Sequence, residues 1–353
     1  MRADGDVGGG SLPANRESSP VRATIRDVAR EAGVSIKTVS RVLNKERYVG
    51  AETRERVEAA IAALRFRPSA AARTLGGKRS FQIALVCDNP SPHFVYEMQS
   101  GIRDRCEADG VRMIAQPYDR GSDRLLDDLE GLIDATAIDG LILTPPITDR
   151  AAVLDLLARR AVRFVRVAPG AQLPDSSSVF IDNRRAARMM TEHLLGLGHR
   201  RIGLVTGHPD YATSVQRTEG YRDALAAAGV AHDPALEMRG DYDFASGARA
   251  GAALLVLATP PSAIFACSDD MAAGVLAAAH GIGLVLPRDC SVAGFGDDAL
   301  AGYVWPPLTT IRQPTRSLAW NAADLLLTAA AEPEYRECPF DLIVRASTAP
   351  VSR

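Results

Sequence analysis

Short apolar runs alternate with amphipathic helical segments from Phe81 onward, and this alternation restricts the fold more than any other feature of the sequence. A first set of β-branched runs lies at 83–86, 141–143 and 164–167, and a second set of similar size begins at Arg201. Strands that are apolar throughout are typical of parallel sheets, which helices cover on both faces. The sequence therefore predicts an α/β core of two doubly wound lobes with a ligand cleft between them.

The segment before this core has a different pattern, that of short helices. Thr24 is followed three residues later by an aspartate, which is a capping box, and Gly33 ends the helix that begins there. Ser35 caps a second helix that is expected over 36–44, and a third is expected over 51–65. Two short helices joined by Ala-Gly-Val are the signature of a helix-turn-helix. We therefore expect an N-terminal all-α helix-turn-helix head.

The charge is distributed unevenly between the two parts. Residues 21–79 hold fourteen basic and six acidic side chains, a net charge of +8, whereas the whole chain has −2 and the remainder therefore −10. A basic head on an acidic body is typical of a nucleic-acid-binding module attached to a soluble sensor.

The cysteines and the hydropathy predict the compartment. The five cysteines are scattered, odd in number and form no C-x-x-C motif, which favours reduced thiols in a cytosolic protein. The sequence has neither an N-terminal apolar segment nor a run of 18 apolar residues, so secretion and membrane insertion are not expected. We expect a cytoplasmic protein that needs no cofactor and no metal.

The stretch from Thr24 to Asn44 (TIRDVAREAGVSIKTVSRVLN) closely resembles the head of the lactose/galactose repressor (LacI/GalR) family. Further matches lie at 53–57, 66–75, 196–203, 291–295 and 307–313, so the resemblance covers about residues 24–345. It implies a transcription regulator whose two-lobed core resembles periplasmic sugar-binding proteins. The predicted parts are a disordered tail (1–22), the head (23–67), a hinge helix and linker (68–80), the core (81–345) and a second tail (346–353). Within the core, lobe 1 is expected over 81–182 and 313–342, and lobe 2 over 183–312.

The second helix of the head is the predicted recognition helix, which in such motifs enters the major groove. Lys37 can donate to guanine, Ile36 can contact a thymine methyl group, and Arg41 lies one turn further along. The smaller polar residues are candidates for contacts to DNA, chiefly to phosphate: Thr24, Ser35, Thr38, Ser40 and Asn44. The alternative is that Lys37 and Arg41 form only a solvated helix face.

The segment 69–75 is too short to be a stable helix alone, and we interpret it as a conditional hinge. The resemblance implies that two hinge helices meet in the minor groove at the centre of a near-palindromic operator, where Leu75 would wedge between base steps. The small side chain of Ala72 would allow close approach to the groove. The alternative for Leu75 is ordinary packing at a domain boundary.

Six residues are candidates for binding the effector. Arg217, Tyr242 and Ser268 match positions that contact ligands in the family, and they offer a fork of donors, an aromatic face and a hydroxyl. Asp88 and Phe94 lie at or just beyond the carboxyl end of a strand, where ligands bind in such sheets, and Asp297 is the sixth candidate. Many sugar-responsive relatives have an acid where this chain has Gly296, and Asp297 is expected to compensate. Ser268, Asp88 and Asp297 could equally be local caps or turn residues.

The favoured function is a homodimeric repressor that releases its operator when a sugar or sugar derivative binds. A corepressor-dependent repressor or an activator remains possible within the family. An enzyme is disfavoured because no G-x-G-x-x-G follows a strand and the histidines have no triad or metal-ligand spacing. A transport-type sugar-binding protein would share the lobes but would lack the basic head.

Overall fold

A computed structural model describes residues 23–43, 46, 48–66, 80–119, 122–328, 330 and 332–351. The chain divides into two units, Met1–Lys78 and Arg79–Arg353. The predicted 1–22 tail and nearly all of the predicted hinge lie outside the described residues. So do three candidate DNA contacts: Asn44, Ala72 and Leu75.

The head consists of three helices, as the sequence predicts: α1 (Ile25–Glu31), α2 (Ile36–Leu43) and α3 (Ala51–Ala63). The backbone nitrogen and hydroxyl of Thr24 both donate to the Asp27 carboxylate, at 2.9 and 2.7 Å, which completes the capping box at the start of α1. Gly33 has φ +64°, a conformation that favours glycine, in the turn between α1 and α2. One valine from each helix is fully buried in the common core: Val28, Val39 and Val57.

The core unit contains two six-stranded sheets with strand orders β11-β5-β4-β3-β1-β2 and β12-β10-β9-β8-β6-β7. The strands are β1 (Gln82–Cys87), β2 (Arg112–Pro117), β3 (Gly140–Leu143), β4 (Phe164–Val167), β5 (Ser177–Phe180), β6 (Ile202–Thr206), β7 (Glu237–Arg239), β8 (Ala263–Ala266), β9 (Ser291–Gly296), β10 (Thr309–Arg312), β11 (Tyr335–Glu337) and β12 (Asp341–Ile343). All strand pairs are parallel except β10 with β12. The predicted fold class, with its two doubly wound lobes, is confirmed.

Nine helices of the described core connect and cover these strands: α4 (Pro92–Glu107), α5 (Leu125–Thr136), α6 (Ala151–Arg159), α7 (Asn183–Gly196), α8 (Ala212–Ala227), α9 (Phe244–Leu255), α10 (Asp269–Gly281), α11 (Ala299–Tyr303) and α12 (Thr315–Thr328). The central strands β3 and β8 are buried along their whole length, because helices cover both faces of each sheet. In the part of the chain that is described, no helix is long and apolar enough to cross a membrane.

The chain passes between the lobes three times, and the last passage differs from the predicted division. After the second passage, α12 and β11 belong to lobe 1. The strand β12 then pairs with β10 of lobe 2, whereas residues up to 342 were expected in lobe 1. The described part of the segment predicted as a tail, residues 346–351, also packs on lobe 2. Ser347 is fully buried and donates to the Val292 carbonyl at 2.5 Å, and the Val351 nitrogen donates to Leu197. The strand β12 has only three residues, too few for a recognisable alternation.

Candidate ligand cleft and recognition helix

The helix α2 has one buried and one exposed face. Val39 and Val42 point into the head, whereas Ile36 is 45% exposed and Lys37 and Arg41 are exposed beside it. Single apolar side chains are often exposed on protein surfaces, so it is the position of Ile36 beside the two cations that matters here. The predicted base-reading residues therefore share one accessible surface.

Hydrogen bonds within the head assign further roles to the smaller polar residues. The Ser35 hydroxyl accepts from the Thr38 backbone nitrogen at 3.1 Å and lies 2.9 Å from the Thr38 hydroxyl, so both side chains help to begin α2. Arg41 forms an ion pair with Glu46 at 3.6 Å. Among the described residues of the head, Lys37 forms no ion pair, and its ammonium is available to a partner outside the chain.

The cleft between the lobes lies at the carboxyl ends of the parallel strands, where such folds bind ligands. It contains a cavity of about 80 Å³. Its aromatic lining comes from both lobes: Phe94, Tyr211, Tyr242 and Phe295. The mixture of apolar and polar groups in this lining suits a small organic molecule.

Arg217, in the second turn of α8, is the most highly connected side chain of the cleft. It is 7% exposed, and its guanidinium carbon lies 3.5 Å from the centre of the Phe295 ring. Its Nε and two terminal nitrogens donate to Asn183 Oδ1, the Cys267 carbonyl and Gln313 Oε1, at 2.9, 2.6 and 3.1 Å. Asn183 and Gln313 lie in two of the segments where the chain passes between the lobes. Through its hydrogen bonds to these two residues, Arg217 connects the cleft to both segments.

Two tyrosines form one wall of the cleft. Tyr242 has φ +65°, and its hydroxyl lies 2.7 Å from the Ser214 hydroxyl. Its ring meets Tyr211 edge-on with centroids 5.1 Å apart. The Tyr211 hydroxyl crosses between the lobes and donates to the Asp88 carbonyl at 3.1 Å. A Cβ at Gly207 would lie 2.2 Å from Tyr242, so only glycine allows this position of the ring.

The cleft is also lined by two carboxylates, Asp270 and Asp298, that were not among the predicted residues. Asp298, from lobe 2, accepts a hydrogen bond from the lobe 1 residue Ser91 at 3.4 Å and lies 3.5 Å from His93. Burial, together with the nearby charge of Asp270, raises the pKa of Asp298 to about 7. Burial also raises the pKa of Asp270.

A third aspartate, Asp269, fixes the backbone that carries Asp298. It is fully buried, accepts from the Thr310 hydroxyl at 2.6 Å and from the Asp298 nitrogen at 2.9 Å, and burial raises its pKa to about 7. Gly296 has φ +144°, and a Cβ there would approach the carboxylates of both Asp269 and Asp298 to about 3.1–3.2 Å. The glycine therefore permits this arrangement of acids.

Four of the six predicted effector residues line the cleft: Phe94, Arg217, Tyr242 and Ser268. Ser268 also caps α10, since its hydroxyl accepts from the Met271 nitrogen at 3.2 Å. Asp88 and Asp297 are not among the lining residues. The Asp297 carboxylate is held by Arg312 and Arg345 at 2.7 and 2.5 Å, and its side chain is only 8% exposed. Asp298, one residue further along, does line the cleft.

The raised pKa of Asp298 predicts a pH effect on stability. A carboxyl whose pKa is higher in the folded state binds its proton more tightly there, so stability is gained as the pH falls below about 7 and is lost as the pH rises through it. Between pH 8 and pH 6, the wild type should gain about 1 kcal/mol in the free energy of unfolding relative to Asp298→Asn.

Urea unfolding of both proteins at pH 6, 7 and 8 measures this difference. The lowered pKa values of the half-buried His193 and the buried His199 act in the opposite direction, but both histidines are present in the two proteins and cancel. A difference between the proteins that does not change with pH would show that Asp298 does not titrate in this range.

A helix-turn-helix head joined in one chain to a two-lobed ligand cleft defines a DNA-binding transcription regulator that responds to a small molecule. Residues 24–69 match the profile of bacterial regulatory proteins of the lacI family, and residues 191–348 match that of a periplasmic binding protein-like domain. The HTH-type transcriptional repressor PurR of Photobacterium profundum is 32% identical over 330 residues, which cover 92% of this chain and 98% of that protein.

A second relative and a solved structure indicate the same family. The ribose operon repressor of Escherichia coli (strain K12) is 33% identical over 316 residues, 89% of this chain and 95% of that protein. The crystal structure of the lac repressor dimer bound to operator and the anti-inducer ONPF superposes with a TM-score of 0.79 at 29% identity, over 93% of this chain and 99% of that chain. The chain belongs to the LacI family.

Proposed function

We propose that this protein is a homodimeric repressor that binds a near-palindromic operator and releases it when a small effector enters the cleft. The observation that carries the proposal is that contacts from both lobes close the cleft. Tyr211 of lobe 2 donates to Asp88 of lobe 1, and Ser91 of lobe 1 donates to Asp298 of lobe 2. A ligand between these groups changes the energy of the lobe arrangement, and that arrangement can be coupled to DNA binding.

Base recognition is assigned to the exposed face of α2, with Lys37, Ile36 and Arg41 reading base edges in the major groove. Thr24, Ser35, Thr38 and Ser40 would position the head against phosphates. Asn44 in the head and Ala72 and Leu75 in the hinge complete the proposed DNA contacts. The relatives named above are repressors, and this chain is proposed to act in the same way, by binding and without catalysis, on the DNA of the bacterial nucleoid in the cytoplasm.

The proposed effector is a carbohydrate or a similar polar ring compound. The aromatic rings of Phe94 and Tyr242 offer apolar faces on which a sugar ring can stack, and Ser268 offers a hydroxyl. The two remaining N–H groups of Arg217, which have no partner in the described chain, can donate to ligand oxygens.

The direct test selects operator DNA from random and genomic fragments with the full chain, and then adds single sugars. We expect a pseudo-palindromic site bound by a species of twice 37.6 kDa in analytical ultracentrifugation, because one head reads only a half-site. A sugar should then weaken this binding. A monomer saturating the site would contradict the dimer, and a sugar that tightens binding would show the corepressor mode.

A further inference from the structure

Some polar groups of the cleft already form hydrogen bonds within the protein, and others do not. Three of the five N–H groups of Arg217 donate to neutral protein acceptors, and the Tyr242 hydroxyl is paired with Ser214. By contrast, one carboxylate oxygen of Asp270 is buried and has no hydrogen-bond partner in the described chain. Asp298 has only the long contact to Ser91 and the approach of His93. The cleft therefore presents unused carboxylate acceptors to a ligand, in addition to the two remaining N–H groups of Arg217.

The charge around this carboxylate pair is negative. No lysine or arginine of the described chain forms an ion pair with Asp270 or Asp298, and His93, at 3.5 Å from Asp298, is the nearest group that can become a cation. Asp243 adds negative charge near Asp270, and Glu97 does so near Asp298. The other nearby acid, Asp297, is neutralised by two arginines.

We propose that Asp270 and Asp298 form a subsite for a protonated amine, and that the effector is an amine-bearing carbohydrate of the amino-sugar type. This inference rests on the proposed function, of which it specifies the effector class. An ammonium group has three donors and a full positive charge, so it can bond both carboxylates and compensate their desolvation. A phosphorylated or acidic sugar would meet uncompensated negative charge and is excluded from this subsite.

The local backbone holds the pair in place before a ligand arrives. Asp269 accepts from the Asp298 nitrogen, and Asp270 follows Asp269 in the first turn of α10. Gly296 leaves the room that these acids need. The same α10 carries Ser268 at its N-cap, so the amine subsite and the predicted hydroxyl contact share one rigid element. Little reorganisation is needed on binding, which favours affinity.

The first test compares matched sugars on the full chain. Glucose, galactose and mannose are each tested as the neutral sugar, the 2-amino sugar, the N-acetylated amino sugar and the 6-phosphate, with thermal melting followed by calorimetry at pH 7. We expect at least one free amino sugar to bind, and its affinity to fall at least 30-fold when the amine is replaced by hydroxyl or N-acetylated. Failure of every amino sugar to bind, or equal or tighter binding by the neutral or phosphorylated counterpart, overturns the proposal.

The second test uses Asp270→Asn and Asp298→Asn, with Asp155→Asn as the control, since Asp155 is an exposed aspartate on α6. Each cleft variant should lose at least tenfold in affinity for the amino sugar, whereas the control should not change. The melting temperatures of the ligand-free cleft variants at pH 7.5 should equal or exceed that of the wild type, because like-charge repulsion is relieved, and this shows that they are folded. Unchanged affinity in both cleft variants overturns the proposal.

The outcomes separate this inference from the proposed function. A neutral sugar that binds and releases the operator leaves the function in place and contradicts the amine subsite. An amino sugar that binds through Asp270 and Asp298 but leaves operator affinity unchanged supports the subsite and contradicts the function.

Discussion

Arg217→Lys is expected to abolish release of the operator by the effector, while the operator affinity of the ligand-free protein stays within a few-fold of wild type. Lysine keeps the charge but not the planar fork, so it cannot bond Asn183, Cys267 and Gln313 together. Acceptors left unsatisfied in this buried place cost about 1–3 kcal/mol each. The effector should bind at least 100-fold more weakly. In addition, the hydrogen bonds that connect the cleft to the inter-lobe segments at Asn183 and Gln313 should be lost.

The matched control is Arg249→Lys, the same exchange at an exposed position of α9. Calorimetry with the effector and fluorescence anisotropy with labelled operator, both at 20 °C, measure the two affinities separately. A lower melting temperature is expected for Arg217→Lys but not for the control. If Arg217→Lys releases the operator at the same effector concentration as wild type, Arg217 has no role in effector response.

Lys37→Ala is expected to have the second large effect, on the selectivity of DNA binding. Its ammonium lies on the exposed face of α2 and forms no ion pair within the described head, so removing it costs no internal contact. The loss of a base contact should cost about 1–3 kcal/mol in operator affinity per half-site and relax the preference at one base pair of each half-site. Binding to random DNA should change far less.

Arg56→Ala controls for the loss of one positive charge, because Arg56 is exposed on α3 of the same head. Affinities for operator and random duplexes at several salt concentrations distinguish the two kinds of contact, since a phosphate contact weakens both DNAs alike and lowers the salt dependence. Equal losses on both duplexes for Lys37→Ala would mean that Lys37 contacts phosphate and does not read a base.

Much of the fold could be predicted because its signals are local. Uniformly apolar runs such as 141–143 predicted buried parallel strands, and Thr24 and Gly33 marked the ends of α1. The strand β12 could not be predicted in the same way. Its three residues pair antiparallel with β10, a contact that depends on the third passage between the lobes and leaves no periodic pattern in the sequence.

The candidate cleft was predicted only in part for a similar reason. Arg217, Tyr242, Phe94 and Ser268 were found from the family resemblance and from their positions at strand ends, and the structure brings them together. Asp297, which was also expected to bind the effector, is not among the lining residues. Asp297 has φ +58°, and its carboxylate accepts from two arginines that are distant in sequence. The next residue, Asp298, lines the cleft.

Reciprocity between the two ligands tests the central claim most directly. The sugar that gives the largest rise in melting temperature is titrated against the full chain by calorimetry, with and without saturating operator, and operator affinity is measured with and without that sugar. Thermodynamic linkage requires the two affinities to change by the same factor, which we expect to be about 5–150-fold, each ligand weakening the other. A sugar that binds in the cleft and leaves operator affinity unchanged would contradict the account.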